Sequence, residues 1–168
     1  YARIELGEFA KSETIIKKLK NIGDIYNFIH AKLDFYYLTA KLLMKKRESN
    51  KALKYADEGI ILLNKIGLDM RKIEFLGLKT RIFVLQNKLN AAEKIIEEAK
   101  NLVLKVGRRA ILTNYYSDYL MGMFSYHLAR LENAIDSTVK QNISKYKRAA
   151  LQYGKLTTKH CRKKVAAD

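Results

Sequence analysis

Cys161 stands between His160 and the cations Arg162, Lys163 and Lys164, the one segment whose neighbours could turn a weak nucleophile into a reactive one. Adjacent positive charge favours the thiolate, although an inert cysteine on a basic helix accounts for the same residues. His30 and His127 lie far from each other in the chain and read as ordinary helix-surface or core histidines. Glu97 and Glu98 form a carboxylate pair, but nothing apolar or catalytic surrounds them, so they read as a solvated face rather than as a general acid and base. No glycine-rich phosphate loop, Gly-x-Ser-x-Gly elbow, zinc spacing of Cys and His, or His-Glu-x-x-His helix occurs. These residues predict a chain that is not an enzyme and that uses no cofactor and no metal.

Charge is the other chemical resource. Lys and Arg number 33 against 17 Asp and Glu, a net charge of +16 that attracts nucleic acid, acidic lipid or acidic protein segments. Much of it gathers at the end, where Lys140, Lys145, Lys147, Arg148, Lys155, Lys159, Arg162, Lys163 and Lys164 face Asp168 alone. Tyr146 and Tyr153 interleave with this patch and offer stacking beside phosphate contacts, so nucleic-acid binding stands as an alternative function. Lysine-rich helices with solvated faces explain the same excess.

The chain has no Pro, only 8 Gly and 48% hydrophobic residues, a composition that predicts an all-α protein. No run of about 18 apolar residues is present, so neither a membrane span nor a membrane partner is expected. A single Cys excludes an internal disulfide framework, and no apolar leader follows Tyr1; a cytoplasmic setting is predicted. The chain opens on Tyr1 rather than Met, and its first motif is already the second half of a repeat, which predicts a piece of something longer.

The elements that position these residues repeat. NKALKYADEGIILLNKIG at 50–67 returns as NAAEKIIEEAKNLVLKVG at 90–107, about forty residues on, and a period of this kind marks units that bury their apolar faces by stacking. First helices are predicted at 24–46, 69–86 and 109–128, and second helices at 49–66, 90–106 and 131–153. Asp24, Ser49 and Asn90 are the predicted N-terminal caps, while Gly67 and Gly107 supply the left-handed stops. Small residues pair between helices as Ala40 with Ala52, Thr80 with Ala92, and Gly122 with Ala134. Bulky Tyr36 and Leu43, then Leu76 and Phe83, flank the first two notches.

These repeats, with GEFAKSE near the start and turns at Gly23-Asp24, Gly67 and Gly107, resemble the tetratricopeptide repeat family in its roughly forty-residue variety. The resemblance implies a right-handed α-α superhelix, a single array over 1–168. It would comprise a half-repeat at 6–23, repeats at about 24–67, 68–107 and 108–154, and a basic C-terminal helix at 155–168. The third unit departs from the pattern, with Asp118 where Tyr36 and Leu76 occupy the aromatic slot, and the family's closing Pro is absent. The family's concave surface would be lined by Asp34, Tyr37, Lys41, Met44 and Lys45, then Glu74, Arg81, Val84 and Leu85, then Tyr116, Tyr119, Met123, Tyr126 and His127. Of these, Tyr37, Lys41, Lys45, Arg81 and the Tyr116–His127 stripe are the expected partner contacts; the tyrosines fit equally as core between neighbouring repeats. Tyr37 with Lys41 and Gly77 with Arg81 do not meet the Lys and Asn pattern by which some members grip a C-terminal carboxylate. The resemblance implies a regulatory scaffold binding a protein or peptide, or another domain of its own chain, within a larger signalling protein such as a cyclase, kinase or transcription regulator. Exposed faces at the ends of such an array also allow a homo-oligomer.

Overall fold

A computed structural model describes the backbone of residues 2–137 and 140–165 and the side chains of 4–137 and 141–160. Among the described residues every regular element is a helix, and none is long and apolar enough to cross a membrane. The chain divides into two compact units, 1–68 and 69–168.

The first unit holds α1 (Ala2–Glu5), α2 (Phe9–Ile25), α3 (Ile29–Lys45) and α4 (Ser49–Ile66), with α2 and α4 each packed on α3. Ile4, Ile16 and Leu42 form a core ringed by Phe9, Phe35 and Leu38. On α4, Ala52, Ala56, Gly59 and Leu63 are buried, the spacing that keeps one helical face inward. Ala40 and Ala52, the first predicted notch, are both fully buried.

The second unit holds α5 (Asp69–Leu85), α6 (Leu89–Val106), a short 3-10 turn (Arg108–Ala110), α7 (Thr113–Asp136) and α8 (Lys140–Val165). α5 packs on both α6 and α7, and α7 on α8. Because it has neighbours on two sides, α5 is buried almost all round, from Ile73 through Phe75, Leu76 and Leu78 to Ile82. α6 repeats the face of α4, with Ala92, Ile96 and Ala99 inward, and the second notch of Thr80 and Ala92 is closed to solvent.

The repeat extends to the turns. Arg47 (φ 64°) and Asn87 (φ 56°) take the left-handed conformation at matching places after α3 and α5. In one turn the Glu48 N–H donates to Leu43 O and Arg47 N–H to Met44 O; in the other Lys88 N–H donates to Phe83 O and Asn87 N–H to Val84 O. This is the Schellman arrangement, in which the two N–H groups beyond a helix satisfy its last carbonyls. Gly67 (φ 69°) closes α4 in the same conformation.

Several expectations are corrected. Asp24 caps nothing: α2 runs on to Ile25, and Asn27 (φ 49°) makes the turn. Gly23 instead permits close packing, since a Cβ there would stand 2.7 Å from Lys32 Cγ on α3. Ser49 and Asn90 lie inside their helices; Glu48 and Lys88 hold the cap positions with no side-chain hydrogen bond to the first-turn amides, and each helix is entered directly from a Schellman turn. The third pair of helices shifts most. α7 continues through the expected break at 129–130 to Asp136, since Leu-Ala-Arg-Leu contains no breaker and Arg130 is anchored to Tyr126, Asn90 and Glu93. Gly122 and Ala134 therefore share one helix and form no notch between two. The last residues of the expected basic helix, 166–168, lie outside the described residues.

Candidate interaction groove

α7 and α8 run antiparallel, as shown by contacts between opposite ends: Tyr116 with His160, and His127 with Tyr146 and Tyr153. The inward stripe of α8 comprises Ile143, Tyr146, Ala150, Tyr153, Thr157 and His160, at alternating steps of three and four residues. α7 meets its other neighbour at Gly122, where a Cβ would stand 2.7 Å from Gly77 O on α5. A Cβ on Gly77 would in turn stand 2.6 Å from Tyr119 N, so these two glycines let α5 and α7 approach to backbone contact.

A third face of α7 remains open. Phe124, Leu128 and Leu131 fall on one stripe, and with Ala150, Leu151 and Gly154 of α8 they line a groove of about 970 Å³. Leu128 is 38% and Leu151 56% exposed, so apolar area meets water along the groove. Gly154 is part of its shape: a Cβ there would come within 3.2 Å of the Phe124 ring, so the missing side chain lets that ring lie against α8. Lys147, Lys155 and Lys159 edge the groove, with Thr158 between the last two. Among the described residues these three lysines have no ion-pair partner, and α8 contains no Asp or Glu.

Most of the residues expected on a concave surface are buried or half-buried; Lys45 and Leu85 are exposed. Tyr37 and Lys41 are buried; Lys41 Nζ lies 3.1 Å and Lys45 Nζ 2.6 Å from the two carboxylate oxygens of Glu5. Burial alone would raise Glu5, yet the hydrogen bond from Lys45 and the charge of Lys41 hold its carboxyl at about 2. Arg81 Nη1 faces the buried Asp118 Oδ1 at 3.6 Å. Met44 and Glu74 are buried, Asp34 and Val84 half-buried, and Leu85 exposed.

Tyr119, Met123 and Tyr126 are interior side chains, 6%, 1% and 3% exposed, so a partner in this conformation could not use their faces. Burial pushes the Tyr119 hydroxyl up, and brings that of Tyr126 to about 12 despite the hydrogen bond from Arg130 Nε at 3.0 Å. Tyr116 is half-buried between the Arg108 guanidinium, 4.9 Å from its ring centre, and the edge of His160. His127 is half-buried and stacked on Tyr153 at 5.2 Å with an 8° tilt. Burial, aided by Lys100 and Lys145, lowers its pKa to about 4.

Of the basic patch, Lys145, Lys147, Arg148 and Lys159 are exposed along α8, while the side chains of Arg162, Lys163 and Lys164, like that of Cys161, lie outside the described residues. A smaller cleft of about 440 Å³ joins Arg108, Arg109, Ile111, Tyr116 and His160. Its His160 Nε2 donates to the Thr113 carbonyl at 2.8 Å. No group of His, Cys, Asp or Glu among the described residues could hold a metal ion.

Sequence reasoning missed the groove because it ended a helix at 128 and began another at 131, dividing one stripe. The readable signal was its width: Phe124, Leu128 and Leu131 beside Tyr119, Met123 and Tyr126 make more apolar face than one neighbour covers. No family model, no curated protein and no solved structure matches the chain.

Proposed function

We propose that the chain is a non-catalytic interaction module of tetratricopeptide-like helix pairs, whose partner-binding face is the α7–α8 groove. The observation that carries this reading is the open groove of about 970 Å³ with Leu128 and Leu151 exposed along it, since contiguous apolar surface rimmed by polar groups marks an interaction site. The matching Schellman turns at Arg47 and Asn87 support the helix-pair repeat, while the right-handed superhelix enters the proposal from the family resemblance alone. Such a module would regulate or assemble a catalytic or DNA-binding part of a larger signalling protein. A neutral helical peptide with a leucine stripe and glutamine flanks tests the reading by fluorescence anisotropy. It is expected to bind the chain and to lose about tenfold or more in affinity with Leu128→Ser/Leu151→Ser, while far-ultraviolet circular dichroism is unchanged. Failure of the unaltered chain to bind this peptide and its acidic- and basic-flanked counterparts alike would refute the reading.

The cleft favours a second reading, nucleic-acid binding, because the Arg108 guanidinium lies over the Tyr116 ring, Arg109 lines the same cleft, and the exposed Lys159 adjoins His160 on α8. Affinity would then fall steeply with salt, as counterion release requires, and Arg108→Ala/Arg109→Ala would reduce it; no mobility shift at low salt removes this reading.

A further inference from the structure

Resting on the interaction-module reading, we infer that the α7–α8 groove takes an acidic amphipathic helix: an apolar stripe on the groove floor and Asp or Glu along the flank that faces Lys147, Lys155 and Lys159. The occupant is helical because both walls are helices, whose main-chain groups are already used along their middle stretches. The groove offers no edge to an extended strand, so whatever enters must satisfy its own backbone. From Lys147 to Lys159 the wall of α8 is about 18 Å long at about 1.5 Å per residue, which matches a helix of about twelve residues. The floor of Phe124, Leu128, Leu131, Ala150 and Leu151 is apolar throughout and meets side chains spaced three and four apart.

Charge selects among helices. The three rim lysines have no carboxylate partner among the described residues, and α8 has none of its own to offer. All three are exposed and line the groove, so their charges are available to carboxylates on the occupant's flank. A second copy of the chain is disfavoured by the same charges, since a two-fold pairing across the groove would set one lysine rim against another in molecules of net charge +16.

Three peptides with one leucine stripe and Glu, Gln or Lys flanks, titrated against the full chain, test the proposal. The Glu-flanked peptide is expected to bind about tenfold more tightly than the Gln-flanked one at about 50 mM salt, and the Lys-flanked one most weakly. The gap should close at about 500 mM salt, where the screening length is only a few ångströms. Lys147→Glu/Lys155→Glu/Lys159→Glu should invert the order of the Glu and Lys peptides, with the helical signal intact because all three side chains are exposed. Equal binding of all three peptides would overturn the acidic preference and leave the groove reading standing. Binding of none would overturn the groove reading itself. Phosphatidylserine-containing vesicles captured in place of every peptide, or a mass doubling abolished by Leu151→Ser, would give the face to a membrane or to a second copy and would also overturn the proposal.

Discussion

His127 illustrates how burial decides what a side chain does. On sequence it was an ordinary histidine on an expected contact stripe; in the fold it stacks on Tyr153, faces Tyr126 and Tyr146, and lies in the field of Lys100 and Lys145, with Glu93 opposing them. Its pKa falls from 6.5 to about 4, so between those values the unfolded chain takes up a proton that the folded chain refuses. Stability from the neutral ring is complete above about 6.5 and is lost as pH falls through about 4. Glu5 acts in the same direction lower down, its contribution present above 4.5 and lost toward about 2. Replacing His127 with Phe keeps a ring against Tyr153 and removes the upper step. The melting temperature of His127→Phe is expected to drop less than that of the unaltered chain between pH 7 and pH 4.5, and an equal drop would show that the imidazole is not the group titrating.

At the scale of helices, the contact between α5 and α7 depends on Gly77 and Gly122. In an isolated helix Gly77→Ala would gain up to about 1 kcal/mol from propensity. Here the new methyl group meets the backbone of Asp118 and Tyr119, which cannot swing aside as a flexible side chain would. The helices must separate, at a cost of about 1–3 kcal/mol, so the net effect expected in a urea melt is destabilisation. A more stable Gly77→Ala protein would show that α5 and α7 are not in close contact. Gly122 was recognised in the sequence as a small residue at a close approach, but with the wrong partner, because Ala134 lies on the same helix and the true counterpart is Gly77.

For the whole molecule the dominant quantity is the net charge of +16. Ion pairs such as Lys72–Glu98 at 2.7 Å and Lys105–Asp69 at 2.6 Å are local and partly exposed, so each contributes about 0–1 kcal/mol. Repulsion among the excess cations acts over the whole surface and opposes the compact state. Raising salt from about 50 mM to about 500 mM weakens both effects, and because repulsion has the larger share the melting temperature is expected to rise. A fall on thermal scanning would mean that the attractive pairs outweigh the excess.

The helical class, the small residues Ala40, Ala52, Thr80 and Ala92 at close approaches, and the left-handed stop at Gly67 were legible in the chain alone. These features follow from the turn-by-turn spacing of side chains and from the conformational freedom of glycine, both local along the chain. Packing was needed to establish that α7 runs through Arg130, that Gly122 meets Gly77, that Tyr119 and Tyr126 turn inward and that Phe124, Leu128 and Leu131 are left open beside a lysine edge. Each depends on which helices become neighbours. Spacing can say that a helix has two or three apolar stripes, but only packing in three dimensions assigns a stripe to a neighbour or leaves it to water.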